Sequence, residues 1–493
     1  MATDSAIQPG SLEVGQVVDG FRLEERAHQG GMAALWRVTR VEPAPPGTPD
    51  VPLIMKVPRI KGGDDPATIV GFEVEQMIMP ALGGPHVPRF IAKGDFTQLP
   101  YIVMERIAGS SLRERFDAAP LPIDEVARIG AKVANALHDL HRQHVVHLDV
   151  KPSNIMFRPE ADGGGGEAVL IDFGLSRHDQ LPDLLDEEFE LPMGTAPYMS
   201  PEQVQFIRSD PRSDLFSLGV MLYHLTTGTR PFGAPSSVRG LRERLYRDPV
   251  SPRELRPDCP GWLQEIILRC LEVDPSKRHQ TAAQLAFDLQ NPAQVALTER
   301  AERVARAGKL GVMKRWFKAV GNEARSNDGA AGQTAKSTIL LAAVDVHGAE
   351  PALLDAVRHT VQRLLQTSPG ARLACLTVMK INRIGMDELT EPDGSSKHLN
   401  LLVQLKHWAR PVTQGLAAPK RSDEAGRVTF HVLEAPDAAT AIVDYARKNQ
   451  VDHIVMGARS SGGLRRYLGS VSARVVVESD CTVTVVRDPA SAG

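Results

Sequence analysis

The chain has 493 residues, which at roughly 100 to 200 residues per domain calls for two to four domains and not one. Apolar residues make up 42% and charged residues 24%, the balance of a folded globular chain. With 57 basic against 60 acidic side chains the net charge is −3, which excludes an overall electrostatic case for binding nucleic acid or a membrane surface.

The four cysteines, Cys259, Cys270, Cys375 and Cys481, form neither a C-x-x-C pair nor a Cys/His cluster, so neither a disulfide framework nor a structural zinc site is expected. The first 30 residues lack a basic start followed by an apolar run. The longest apolar stretches, such as Leu215 to Tyr223, fall well short of the roughly 20 residues that span a bilayer. The chain is read as cytoplasmic, with no transmembrane segment.

From about Gly20 to Lys56, short apolar runs (Phe21 to Leu23, Leu35 to Val38, Leu53 to Val57), with the loop VEPAPPGTPD between two of them, predict a twisted antiparallel sheet. From Ile123 the period changes. Val126, Ile129, Val133 and Leu137 recur every three or four residues, and helices are expected to about Leu289. Residues 291 to 335 first set Arg300, Arg303, Arg306, Lys309, Lys314, Arg315 and Lys318 against Val304, Leu310, Met313, Phe317 and Val320, a basic amphipathic helix. They then run into NEARSNDGAAGQTAKS, a flexible tether. From near Ser337, STILLAAVDV, RLACLTVMK, RVTFHVLEA, DHIVMGAR and CTVTVVR read as buried strands between helical stretches, the pattern of a parallel α/β sheet. The expected division is a tail over 1–16, a first domain over 17–290 with lobes at about 17–107 and 108–290, a basic helical linker and tether over 291–336, a second domain over 337–487 and a tail over 488–493. The linker helix has three readings: an autoregulatory segment, a membrane-surface helix, or a spacer.

The sharpest signal is His147-Leu148-Asp149-Val150-Lys151-Pro152-Ser153-Asn154, followed by Asp172-Phe173-Gly174 and then by Gly194-Thr195-Ala196-Pro197-Tyr198-Met199-Ser200-Pro201-Glu202. From Gly20 to Leu289 the chain resembles the eukaryotic-type serine/threonine protein kinases, called Hanks-type in bacteria, with the motifs in the family's order. The resemblance implies an α+β bilobal protein-kinase fold and transfer of the γ-phosphate of ATP to Ser/Thr hydroxyls of protein substrates, with Mg²⁺, or alternatively Mn²⁺, as the metal. It also implies that Asp149 orients the substrate hydroxyl and takes its proton, that Lys151 contacts the γ-phosphate, that Asn154 and Asp172 hold the metal, and that Thr195 supports Ser/Thr specificity. Such groups suit the reaction because phosphoryl transfer needs positioning and charge neutralisation more than covalent chemistry.

By the same resemblance Lys56 in PLIMKV binds the α- and β-phosphates and Glu75, in preference to Glu73, pairs with it from a helix. Met104 is the gatekeeper, Glu105 and Ile107 offer hinge backbone groups, and Gly30, Gly31, Leu35 and Met156 belong to the nucleotide pocket. Asp214 anchors the catalytic loop, and Arg278 pairs with Glu202. The chain departs from the family where His28 and Ala33 replace two phosphate-loop glycines, Ile54 replaces a small residue over the adenine, and Leu148 replaces an arginine. Between Asp172 and Glu202 the Ser/Thr hydroxyls are Ser176, Thr195 and Ser200, while Asp183, Asp186, Glu187, Glu188 and Glu190 supply permanent negative charge. Activity independent of activation-loop phosphorylation is expected. The departures also motivate a second reading, a pseudokinase scaffold that binds ATP weakly.

Residues 337 to 487 resemble the universal stress protein family in ILLAAVDVHGAEPALLDAV and in DHIVMGARSSGGLRRYLGSVSARVVVESDCTVTVVR. Asn382 to Ser422 has no counterpart there, although LNLLVQLKHWARPV reads as a helix. The resemblance implies an α/β doubly wound parallel-sheet domain with ligands at the strand C-termini. Asp345, Gly457, Gly469 and Ser470 match positions of ATP-binding members, but Ser460 stands at the second glycine and the spacing to Gly469 is one residue short. A second nucleotide site and an ordinary helix–strand turn both stay open. So do homodimerisation, ligand sensing and substrate recruitment as uses of this domain, and a reading in which it is the effector and the kinase its regulator.

Overall fold

A computed structural model of the chain describes residues 12–29, 33–43, 50–59, 66–159, 166–189, 191–304, 338–368, 370–381, 391, 396–415, 427–458 and 469–487. Gly30, Gly31, Glu190, Ser460, the tether, the helix expected beyond 304 and most of the unmatched stretch around 382–422 outside the helix at 397–415 lie outside the described residues.

The first lobe is a six-stranded antiparallel sheet in the order β1-β2-β3-β4-β6-β5, built from β1 (Val17–Val18), β2 (Phe21–Gln29), β3 (Ala33–Arg40), β4 (Leu53–Pro58), β5 (Phe90–Lys93) and β6 (Ile102–Glu105). Strand alternation divides its faces. Ala34, Trp36 and Val38 of β3 with Leu53, Met55 and Val57 of β4 form a core on one side. Leu35, cross-strand partner of Lys56, and Ile54, partner of Met104, stand on the other. Helix α1 (Pro66–Ile78) is buried on almost every side, from Ile69 to Gln76 without a break, which a surface helix of one lobe would not be.

The second lobe is helical. α2 (Ile123–Arg142) buries Val126, Ile129, Val133 and Leu137, the positions its period predicts, against a core shared with α4 (Arg212–Thr227), α5 (Gly261–Cys270) and α6 (Ala282–Gln290). Two short antiparallel strand pairs accompany it: β7 (Val145–Val146) with β10 (Arg177–His178), and the hairpin of β8 (Ile155–Phe157) with β9 (Ala168–Leu170). A short helix α3 (Leu184–Glu188) follows β10, with Asp183 as its N-cap. Beyond α6 the chain turns back onto α5, where Arg300 pairs with Glu265 at 3.1 Å and Glu272 at 2.9 Å. The first two of the linker's basic residues are thus pinned to the lobe; among the described residues of the linker the α-helical part is Glu299–Glu302.

The C-terminal sheet has five parallel strands in the order β13-β12-β11-β14-β15: β11 (Ile339–Ala343), β12 (Arg372–Lys380), β13 (Val428–Ala435), β14 (His453–Ala458) and β15 (Thr482–Arg487). Leu340 and Ala342 of β11 face α7 (Pro351–Thr367) and α8 (Lys397–Gly415), while Leu341 and Ala343 face α9 (Ala438–Lys448) and α10 (Ser470–Glu478). Strand order reverses beside β11, so a crevice opens at the C-terminal ends of β11 and β14, as the doubly wound pattern requires. α8 is the helix read in LNLLVQLKHWARPV; it continues through Pro411 and ties to α7 by Trp408 Nε1 donating to the Leu354 carbonyl at 3.0 Å.

Candidate active site

The cleft between the lobes collects charged groups from separate elements. On β4, Lys56 donates to Glu75 of α1 at 2.5 Å and to Asp172 at 2.9 Å, with Glu75 only 1% exposed. Burial works against the Lys56 ammonium, but Asp172 and Glu75 outweigh it and hold its pKa above the ordinary lysine value. The Lys56 charge likewise holds Asp172 down at about 2, against its desolvation. Asp172 is therefore a carboxylate throughout the neutral range, and its side chain is 45% exposed. Glu73 faces away from Lys56, as two residues of a helix some 200° apart must.

The second group centres on Asp149. Lys151 donates to its Oδ2 at 2.6 Å, the Thr195 hydroxyl to its Oδ1 at 2.6 Å, and the Asn154 amide to Oδ2 at 3.1 Å. Lys151 also reaches Thr195 Oγ1 at 3.0 Å, closing a triangle of three side chains from two chain segments 44 residues apart. The loop that carries Asp149 is held from below. Asp214, wholly buried at the start of α4, accepts from the amides of His147 and Leu148, each at 2.9 Å, and from His141 at 2.9 Å. The Arg278–Glu202 pair, 2.6 Å and buried, fixes the end of the activation segment. The β8–β9 hairpin places Asn154 and Asp172 at the same end, since Ile171 N–H donates to the Asn154 carbonyl at 3.0 Å.

A divalent cation fits this end of the hairpin by donor chemistry. One carboxylate held ionised and one amide oxygen are hard ligands, and Mg²⁺ usually takes few protein ligands beside phosphates. The hinge follows β6. The Glu105 amide already donates to the Arg89 carbonyl and its carboxylate pairs with Arg158, while Ile107 is buried just beyond. Met156 on β8 bridges to Ser111 below the cleft. His28 sits within β2 as cross-strand partner of Leu35, beside a bulge, and Ala33 opens β3.

Several features were not anticipated. Ser176 is buried with its hydroxyl on the His147 carbonyl, and Ser200 is a buried capping box, so Thr195 alone of the three hydroxyls is partly exposed. Asp183 is met by Arg208 at 2.8 Å and Arg177 at 3.5 Å. Glu187, Glu188 and Glu73 are met by the C-terminal domain. That last set leaves no local signal in the sequence, because the partners lie some 180 to 330 residues away.

In the C-terminal domain Asp345, Gly457, Gly469 and Ser470 line one cavity of about 310 Å³ at the β11/β14 crevice. No helix among the described residues is long and apolar enough to cross a membrane.

A bilobal fold with these two charge constellations in its cleft, joined to a five-stranded parallel domain, defines the class. Residues 63–288 match the protein kinase domain model and residues 337–487 the universal stress protein family model, so the chain carries a kinase domain followed by a universal stress protein domain. A probable serine/threonine-protein kinase of Clostridium perfringens is 32% identical over 220 residues, 44% of this chain and 31% of that protein. The serine/threonine-protein kinase pkn3 of Myxococcus xanthus is 33% identical over 281 residues, 55% of this chain and 49% of that protein. The crystal structure of the Mycobacterium tuberculosis PknI kinase domain aligns with a TM-score of 0.43 at 23% identity, covering 57% of this chain and 99% of that one. The chain spans less than half the length of these two curated relatives. The protein kinase family as a whole uses ATP and a divalent metal and acts on proteins.

Proposed function

We propose that the chain is a serine/threonine protein kinase that transfers the γ-phosphoryl group of ATP to protein hydroxyls. The observation that carries this reading is the joint presence of the Lys56–Glu75–Asp172 and Asp149–Lys151–Thr195–Asn154 networks in one cleft. In this reading Lys56 holds the α- and β-phosphates, and the Glu105 carbonyl and Ile107 backbone meet the adenine between Leu35 and Met156, with Gly30 and Gly31 over the phosphates. Asp149 orients the attacking hydroxyl and accepts its proton while ADP departs. Lys151 neutralises charge developing on the transferred group, and Thr195 fixes the Asp149 carboxylate. Asn154 and Asp172 would hold Mg²⁺, or Mn²⁺ in its place, which supplies Lewis-acid neutralisation of the phosphates.

The tight Lys56–Glu75 pair argues against the pseudokinase scaffold, which motif loss and an open pair would have favoured. The test is transfer of labelled γ-phosphate to a Ser/Thr substrate by wild type and Asp149→Asn. Loss of about 10² to 10⁴ in rate with ATP affinity kept is expected; equal rates, or no transfer by wild type despite firm ATP binding, would refute the reading.

For the C-terminal domain we propose a nucleotide ligand in the cavity containing Asp345 and Gly469, and homodimerisation through β15, an edge strand flanked by Val477, which is 83% exposed. Calorimetric titration of the full chain with ATP should give two sites in wild type and one in Gly469→Val; a single site in both would defeat the second-site assignment.

A further inference from the structure

Glu187 and Glu188, at the end of α3 in the activation segment, are 9% and 3% exposed, and the C-terminal domain supplies their partners. Arg372, the first residue of β12, makes a two-pronged contact with Glu187, Nη1 to Oε1 and Nη2 to Oε2, both at 2.7 Å. Tyr445 of α9 donates to the same carboxylate at 3.0 Å. His431 of β13, wholly buried, meets Glu188 through Nδ1 at 2.8 Å. On α1, Glu73 pairs with Lys406 of α8, whose ammonium also lies over the rings of Phe96 and Phe430. Beside these pairs Ile69 and Phe72 of α1 share an apolar seam with Met379, Leu401, Leu402 and Val432 of the C-terminal domain.

Carboxylates buried this deeply stay ionised only where a cation or several donors meet them, and removing one partner strands the other at high cost. A bidentate arginine fixes direction as well as distance. Inside the kinase domain the nearby cations are otherwise engaged: Arg177 and Arg208 hold Asp183, and position 148 is a leucine. The two elements gripped from outside, α3 and α1, also touch each other. One of them carries Glu75, and Glu75 stands on Lys56 in this docked arrangement.

We propose that Arg372, His431 and Lys406 are positioning residues for phosphoryl transfer, holding α3 and α1 of the same chain so that Glu75 stays on Lys56. None of the three touches the cleft; they act through Glu187, Glu188 and Glu73. The inference rests on the kinase reading above, and its test has an arm that does not need turnover.

The full-length chain would be compared as wild type, Arg372→Ala, Arg372→Lys, Lys406→Ala and Arg447→Ala, the last a solvent-exposed pair elsewhere on the same domain. Steady-state kinetics should show kcat lowered by about tenfold or more in Arg372→Ala and Lys406→Ala with the peptide KM changed by less than about twofold, partial recovery in Arg372→Lys, and no change in Arg447→Ala. Hydrogen exchange should accelerate in Pro66–Ile78 and Leu184–Glu188 while α2 stays protected. Wild-type kcat and wild-type exchange in both alanine variants would overturn the proposal, as would exchange rising evenly through both lobes, the mark of a merely stabilising contact. Should the wild-type chain transfer no phosphate, the kinase reading falls, and the exchange comparison alone decides whether these residues hold α1 and α3.

Discussion

At Leu148 the backbone φ is +62°, the left-handed region that side-chain-bearing residues seldom adopt. The fold holds it there by hydrogen bonds from the His147 and Leu148 amides to the Asp214 carboxylate and by Gln203 donating to the Leu148 carbonyl at 2.7 Å. The backbone shape of the loop thus survives without the arginine usual at that place, and the side chain is free to be apolar and buried. That loss was legible in the sequence; the Arg208–Asp183 pair of the activation segment was not, because its two residues are brought together only by the fold.

A second residue carries a pH prediction. His279 is buried, with Nε2 3.2 Å from Asp288 and Cys270 Sγ 3.5 Å from Nδ1. Burial, helped by Arg269 and Arg300, pushes its pKa from 6.5 down to about 3. Below 6.5 the unfolded chain takes up a proton that the folded one refuses, so the stability owed to neutral His279 falls as pH drops from 6.5 toward 3. Between pH 7 and 5 this amounts to about 2 kcal/mol. Urea unfolding of the kinase domain within the full chain should show that loss in wild type and not in His279→Asn; parallel curves would remove the assignment.

At the scale of elements, α1 is the informative one. Gly71 packs against the chain at Gly174, where an added Cβ would lie 3.0 Å from the Gly174 carbonyl. Alanine there would gain about 1 kcal/mol of helix propensity but press on backbone that follows Asp172. Gly71→Val is expected to push α1 off that loop and open the Lys56–Glu75 pair, lowering kcat by about tenfold or more with little change in melting temperature, measured by steady-state kinetics and calorimetry. Unchanged kcat would mean that the contact does not set the position of α1. Glu75 and not Glu73 meets Lys56 because a helix places residues 73 and 75 on opposite sides. α8 was legible only as an apolar period, and its Pro411 gave no hint that the helix would continue through it.

For the whole molecule, the two folds were readable because each carries its own local pattern: alternation and then a period of three to four residues in the first, strand–helix repeats in the second. Their docking was not readable. Glu187 and Arg372 are separated by 185 residues, and a carboxylate on a loop looks solvated until its partner is seen. The stretch that matched nothing in the stress protein pattern supplies Lys406, Leu401 and Leu402, which meet α1. That segment shares the face toward the kinase domain with Arg372, Met379, His431, Val432 and Tyr445 from the rest of the same domain.

In the kinase we propose, the activation segment is held by charges built into the chain. The most direct measurement is the initial rate of γ-phosphate transfer by the full chain after exhaustive phosphatase treatment and phosphatase removal, with Asp149→Asn as the blank. The account predicts a rate within about twofold of the untreated protein from the first turnover, because no phosphate need pair with a residue at position 148. A lag abolished by phosphorylation within residues 176–195, or a rate that falls to the Asp149→Asn level, would contradict it.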